Sequence, residues 1–229
     1  MPGKTWAGPW PPRRPGPGVP GTKTQPGWGG ILYTATSAPV TSVTATFTVP
    51  SLSGETGAVA SIWVGIGDVM QTGIYCSYDE GQPGNYSNLW PWTWWISGNG
   101  AAELWDASAF PVAAGDSMTC SLSVGATTWT ATLANATEGW SYANVRAIQA
   151  VNVAISDWPF PLNAAGVIIE KEGTHPLPDY GTLTFTDIVT TPAIVAEDVT
   201  YITTVNTDTD QTPGTYSAGS FTMTWHNYS

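Results

Sequence analysis

The sequence predicts an all-β protein with a single domain, and three observations lead to this prediction. Short stretches alternate between apolar and hydroxyl-bearing residues, which is the pattern of strands with one buried and one exposed face. Turn-forming residues separate these stretches at short intervals. No stretch has the apolar spacing of an amphipathic helix. This combination indicates a sandwich or a barrel of β-strands.

The predicted strands follow one another along most of the chain. The first of them ends at Pro50, and the third follows the second after a short turn, as in a hairpin. No linker-like segment interrupts the pattern, so one domain is expected. The alternating stretches are residues 43–49, 117–124, 128–133, 182–188 and 220–225.

The first 26 residues are rich in proline and glycine and predict a tail. Proline has no backbone N–H for a helix or a ladder, so this segment is expected to be extended or disordered. Trp6 and Trp10 would either pin it to the domain or serve a partner. The segment lacks the apolar run of a secretory signal. The predicted organisation is a Pro/Gly-rich tail over residues 1–26 and a β domain over residues 27–229.

The charges are unevenly distributed. All 17 acidic residues lie after residue 24, where the only two cations are Arg146 and Lys171, so this part carries a net charge of −15. Such a surface repels nucleic acids and anionic membranes. No apolar run approaches the length that crosses a membrane. Neither a nucleic-acid partner nor a membrane partner is therefore expected.

The residue inventory argues against several kinds of catalytic site. The two histidines, His175 and His226, are isolated, so no metal site and no cofactor are expected. A Ser-His-Asp triad would need one of them near a nucleophile motif, and neither has one. Cys76 and Cys120 could form a disulfide or stay as buried thiols.

Tryptophan is unusually frequent, with 13 copies in 229 residues. A strand over residues 89–95 would place Trp90, Trp92 and Trp94 on one face. Such a row either packs in the core or forms the floor of a cleft that stacks against a peptide or a sugar. Both interpretations are open.

Two polar side chains stand at the ends of apolar, β-prone runs. Gln71 ends the run that starts at Trp63, and Glu170 ends the run 167–169. An amide can donate hydrogen bonds to an oxyanion. A partly desolvated carboxylate has a raised pKa and can take a proton from water. The alternative is that Glu170 faces solvent beside Lys171.

Several stretches occur in an order that points to one protein family. They are residues 63–73, with Trp63, Gly65 and Gln71, and residues 165–170, which end in Glu170. Residues 28–30 and 43–50 precede them. Together these stretches resemble the signatures of the glutamic peptidase (eqolisin) family, and the resemblance runs from about residue 27 to the end of the chain.

The resemblance implies an acid-acting, secreted endopeptidase without cofactors, built on a concanavalin-like sandwich of two curved antiparallel sheets. Gln71 and Glu170 match the catalytic glutamine and glutamate of the family, and Trp63 matches a tryptophan that borders the site. A polypeptide substrate and a monomeric state are expected. The candidate substrate-binding residues are Trp63, Asp68, Trp90, Trp92 and Trp94.

The chain also departs from the family pattern. Gly67 stands where the family usually has an aspartate, and Asp68 next to it could substitute for that residue. Gly166 replaces an acid that often precedes the second signature, and residues 89–96 lack the usual glutamate. These departures affect the expected substrate preference and pH optimum more than the pair of catalytic residues.

Two other functions fit part of the pattern. The tryptophan row and the Asn/Thr-rich surface suit a carbohydrate-binding module or a glycoside hydrolase, for which Glu103, Glu138 and Glu170 are candidate carboxyls. A non-catalytic domain that kept the family fold is the other alternative, and Gly67 would be its sign.

Overall fold

The computed structural model describes residues 21–24, 27–36, 38–67, 70–82, 85–95, 102–106, 108–147, 163–205 and 209–227. These residues form 15 strands and a short 3-10 helix at Ala196–Asp198. The strands, β1 to β15 in chain order, are Thr22–Thr24, Trp28–Thr34, Ser42–Thr48, Val59–Ile66, Met70–Tyr78, Tyr86–Trp95, Ala102–Leu104, Ser117–Val124, Thr128–Asn135, Trp140–Ala147, Ala164–Lys171, Thr182–Thr191, Val199–Val205, Thr209–Pro213 and Phe221–Asn227.

Fourteen of these strands form one continuous hydrogen-bonded path, and neighbours on it run antiparallel. The order is β10, β9, β8, β3, β12, β15, β14, β13, β2, β11, β4, β5, β6 and β7. The predicted all-β, antiparallel, single-domain fold is confirmed. Because the path is continuous, the finer prediction of a concanavalin-like sandwich with two curved sheets stays a prediction.

The main core combines side chains from strands of both halves of this path. Alternation in β3 buries Val43, Ala45 and Phe47, while the hydroxyl-bearing residues between them point outward. The same cluster contains Ile62 from β4 and Leu122 from β8. Burial of such apolar side chains is the main source of stability in a domain of this kind.

A second apolar cluster covers the other face of β2, β4, β5, β6 and β11, and we call this surface the tryptophan face. Strand β4 is buried along its whole length because the main core covers one of its faces and this cluster the other. The predicted row of tryptophans on β6 packs against it. The buried members of the cluster are Trp28, Val59, Trp63, Tyr75, Trp92, Ile168 and Ile202.

One part of the predicted tail forms a strand. Residues Thr22–Thr24 make up β1, which pairs in parallel with β13. This short stretch contains no proline, so each of its residues keeps the N–H that a ladder needs. Residues 1–20, 25 and 26 lie outside the described residues.

Both cysteines are buried free thiols, in β5 and β8 respectively. Burial raises the pKa of the Cys76 thiol to about 12, and the nearby Glu172 carboxyl adds to this effect. Within the described ranges, no group of three or more His, Cys, Asp or Glu residues could hold a metal ion. Nor does this part of the chain contain a helix long and apolar enough to span a membrane.

Candidate active site

Glu170 lies on the tryptophan face, near the end of β11. The register places it opposite Trp28 of β2 on one side and Ser61 of β4 on the other. Side chains alternate along a strand, so Ile168 and Glu170 point to this face while Ile169 points into the main core. The apolar run 167–169 therefore carries the carboxyl to the edge of a buried aromatic cluster.

Two indole rings hold the Glu170 carboxyl. Nε1 of Trp63 donates a hydrogen bond of 3.0 Å to its Oε2, and the Trp28 side chain donates as well. The two rings pack edge to face, with centroids 5.4 Å apart. Burial raises the pKa of the Glu170 carboxyl, and the two indole hydrogen bonds lower it only in part. The alternative of a fully solvated strand-end glutamate does not describe this environment.

A second carboxyl, Glu172, stands beside Glu170, and no sequence motif pointed to it. It directly follows β11, is 7% exposed, and accepts a short hydrogen bond from Oγ of Ser61. Burial raises the pKa of Glu172, and the charge of Glu170 raises it further. Two carboxylates two positions apart at a strand end share one face. That spacing is the signal that could have found Glu172.

Gln71 lies on the same face but in a different row of the register. It is opposite Gly65 of β4 and Trp94 of β6. Gly65 in turn is opposite Gly166 of β11, four residues before Glu170. The fold thus brings the two predicted catalytic residues to one face, two strands apart and offset along the strands.

The Trp63 side chain occupies the space between Glu170 and Gln71, and it is 0% exposed. A Cβ placed on Gly65 would lie 2.7 Å from Cζ3 of Trp63 and 3.4 Å from Cγ of Gln71. A Cβ on Gly166 would lie 3.5 Å from the same indole atom. The two glycines therefore leave room for the ring, whose Cζ3 edge lies over Gly65 and Gly166 and whose Nε1 reaches Glu170.

The other predicted substrate-binding residues divide into two groups. Trp92 is 6% exposed and belongs to the buried cluster. Trp90 and Trp94 are half-buried and pack on that cluster, and Trp90 stacks on Tyr75 at 6.1 Å between ring centroids. The row therefore contributes one ring to the buried cluster and two rings to the partly open surface above it. Asp68 lies outside the described residues.

The carboxyls considered for a glycoside hydrolase do not all share this face. Glu138 is exposed in the turn between β9 and β10, at the far end of the strand path. Glu103 lies in β7, opposite Thr93 of β6. Of those three glutamates, only Glu170 is described with its side chain on the tryptophan face.

Comparisons with known proteins agree with this architecture. The chain is similar to scytalidoglutamic peptidase with a peptide-based transition state analogue (21% identity, 88% of this chain and 99% of that chain, TM-score 0.65). It is also similar to SCP-B, a member of the eqolisin family in complex with the tripeptide Ala-Ile-His (22% identity, 88% and 99% covered, TM-score 0.66). At these identities the likeness concerns the fold. No curated protein matches the chain.

The sequence itself provides the assignment. Residues 26–225 match the sequence model of the peptidase A4 family. This stretch includes both signature runs and all but the last two of the described residues after the tail. The chain therefore belongs to the peptidase A4 family of glutamic endopeptidases.

Proposed function

We propose that this protein is an acid-acting endopeptidase that uses Glu170 as general base and Gln71 as oxyanion donor. The observation that carries the proposal is the Glu170 carboxyl, desolvated on an aromatic face and oriented by the indoles of Trp28 and Trp63. In its ionised form it takes a proton from water as the water attacks the scissile carbonyl. A positioned general base typically contributes about 10²–10⁴ in rate.

Gln71 is proposed to stabilise the charge that develops on the carbonyl oxygen. In an ideal sheet, its register offset from Glu170 separates the two Cα atoms by roughly 16 Å. Both side chains project from the same face, so the separation of their polar ends depends on how far each leans along its strand. A water molecule beside Glu170 and the carbonyl oxygen beside Gln71 are proposed to span that separation. The scissile bond is therefore proposed to lie between these two side chains, outside the buried Trp63 ring.

The working pH follows from the ionisation of Glu170. The base is active only as a carboxylate, and burial raises its pKa above the ordinary glutamate value of about 4.3. The rate is therefore proposed to rise between pH 3 and the weakly acidic range. Gln71 does not titrate, so Glu170 alone sets this acid limb.

The half-buried Trp90 and Trp94 are proposed to stack against substrate side chains, and the buried cluster that contains Trp63 and Trp92 supports them from below. Asp68, three positions before Gln71 in the sequence, is proposed as a further substrate contact. The substrate is a polypeptide, and the enzyme is proposed to act outside the cell as a monomer. Its net charge of −11 disfavours nucleic acids and anionic membranes.

Replacing Gln71 with alanine tests the oxyanion role. Loss of one oxyanion donor lowers kcat by about 10²–10³, and we expect a decrease of that size for cleavage of an unfolded protein such as casein in weak acid. The matched control is Gln82→Ala, because Gln82 is exposed and should keep wild-type activity.

The same assay separates the proposal from the carbohydrate alternative. The wild-type protein is incubated with casein and, in parallel, with xylan and glucan. Cleavage of casein alone, lost in the Gln71 variant and kept in the Gln82 variant, supports the proposal. Cleavage of a glycan, or full casein activity in Gln71→Ala, contradicts it.

A further inference from the structure

Glu172 is a buried carboxyl that the proposed mechanism does not use. Its backbone N–H lies 3.4 Å from the carbonyl oxygen of Val59, which places it at the end of the tryptophan face. In the register it stands beyond Glu170, on the side away from Gln71. From there it does not reach a bond held between those two residues, but it can contact a part of the substrate that extends past Glu170.

The Glu172 carboxyl lies beside a second carboxyl and a pair of aromatic rings. Ser61 is opposite Glu170 on one side and Tyr75 on the other. The Ser61 Oγ donates a short hydrogen bond to Oε1 of Glu172, so the carboxyl is held over this small residue. Trp90 is opposite Tyr75, and the two rings are stacked with centroids 6.1 Å apart.

In the described part of the chain, no cation interacts with the Glu172 side chain. Lys171 is opposite Ala60, a core residue, and so alternates away from this face. His175 donates its backbone N–H to the Glu172 carbonyl. The titratable groups that do interact with the carboxyl are all acids, namely Glu170, Tyr75 and Cys76.

One oxygen of the carboxyl keeps access to the surface. Oε1 accepts the hydrogen bond from Ser61, whereas Oε2 accepts none from the described residues. Oε2 is nevertheless not among the fully buried polar atoms that lack a partner, and the Glu172 side chain is 7% exposed. Oε2 is therefore the atom that a ligand can reach.

We propose that Glu172 forms a subsite for a basic side chain, of lysine or arginine, in the polypeptide substrate. This inference rests on the proposed function of Glu170 and Gln71. A buried carboxylate without a counter-charge is costly, so a substrate cation supplies the partner that the fold does not. Aromatic rings such as those of Tyr75 and Trp90 attract cations as well.

The register also limits where the basic residue lies in the substrate. Two residues along a strand cover about 6.8 Å, so Glu172 stands roughly 7 Å beyond Glu170. An extended substrate advances about 3.4 Å per residue. The basic residue is therefore expected within about four residues of the scissile bond, on the side that extends past Glu170.

The test uses a peptide that the wild-type enzyme cleaves at one bond. Each of the four residues on either side of that bond is replaced in turn by lysine and by norleucine, which has an apolar side chain of similar length. At one position, or at two neighbouring ones on the same side of the bond, we expect kcat/KM to be at least about tenfold higher for lysine.

The variant Glu172→Gln separates recognition from a structural role. We expect the preference for lysine over norleucine to disappear at that position, while kcat/KM on the norleucine peptide stays close to wild type. A merely structural residue would lower kcat/KM on both peptides alike. The control Glu197→Gln changes an exposed glutamate and should keep the lysine preference.

The pH dependence of the wild-type preference gives a second readout. Burial raises the pKa of Glu172, and the charge of Glu170 raises it further, so the free carboxyl is protonated in weak acid. A bound lysine favours the ionised form. The ratio of kcat/KM for lysine to that for norleucine should therefore rise between pH 4 and pH 8. Ionisation of the base largely cancels in this ratio, because both peptides use Glu170.

These outcomes distinguish the inference from the mechanism on which it rests. Cleavage without a lysine preference at any position overturns the subsite alone, and so does a preference that survives in Glu172→Gln or an equal loss on both peptides. If that variant does not fold, a wild-type ratio that stays constant between pH 4 and pH 8 overturns the subsite instead. Full activity of Glu170→Gln overturns the proposed base, and the lysine ratio still decides the role of Glu172.

Discussion

Replacing Glu170 with glutamine is expected to lower kcat/KM for peptide cleavage by about 10²–10⁴. The amide has the size of the carboxyl and can still accept the hydrogen bond from Trp63 Nε1, so the aromatic face should keep its packing. What it loses is the ability to take a proton from water. The measurement is cleavage of casein and of a defined peptide at several pH values.

The control for this substitution is Glu197→Gln, which removes the same charge from an exposed position. Both variants should show wild-type circular dichroism in the near ultraviolet, where the tryptophans of the face contribute. A folded Glu170→Gln protein with more than a small fraction of wild-type activity at every pH excludes Glu170 as the base. A loss that Glu197→Gln shares points to net charge instead.

Much of the strand pattern could be predicted because alternation is a local property. Residues 43–49 and 117–124 coincide closely with β3 and β8, where Val43 and Leu122 face each other in the main core. The family signatures placed Glu170 and Gln71 on strands, and the register puts both on one face.

The spacing of two positions could place Glu172 on the face of Glu170, but its burial could not be predicted because it depends on a contact distant in sequence. Read locally, Lys171-Glu172-Gly173 is a polar stretch that leads into a turn. The residue that holds Glu172 is Ser61, 111 positions away. Only the pairing of β4 with β11 brings the two together and buries the carboxyl.

The tryptophan row shows a second limit of local interpretation. Alternation predicts that Trp90, Trp92 and Trp94 share a face, but the depth of each ring depends on the opposite strand. Gly73 lies opposite Trp92 and has no side chain, so the Trp92 indole is buried in the cluster. Trp90 and Trp94 face Tyr75 and Gln71 instead and remain half-buried.

The free energy of unfolding is expected to decrease as the pH rises from 4 to 8. The sign of this change follows from the two buried carboxyls, Glu170 and Glu172. In the folded state the pKa values of Glu170 and Glu172 are raised, whereas in the unfolded chain both return to about 4.3. Their protonated forms favour the folded state fully below that pH, and this contribution is lost as the pH rises towards the folded pKa values. A carboxyl whose pKa is one unit higher in the folded state than in the unfolded chain contributes about 1.4 kcal/mol in this way.

Repulsion among the negative charges also lowers the free energy of unfolding as the pH rises, because the net charge of −11 develops as the carboxyls ionise.

Urea unfolding of the wild-type protein and Glu172→Gln at pH 4, 6 and 8 separates this repulsion from the effect of the buried carboxyls. The variant has no carboxyl to ionise at this position, so it should match wild type at pH 4 and exceed it increasingly towards pH 8. Glu197→Gln should track the wild-type curve, apart from a small gain from its lower net charge. A wild-type stability that rises with pH contradicts the buried pair, and a gap between Glu172→Gln and wild type that does not change with pH excludes titration of Glu172 as its cause.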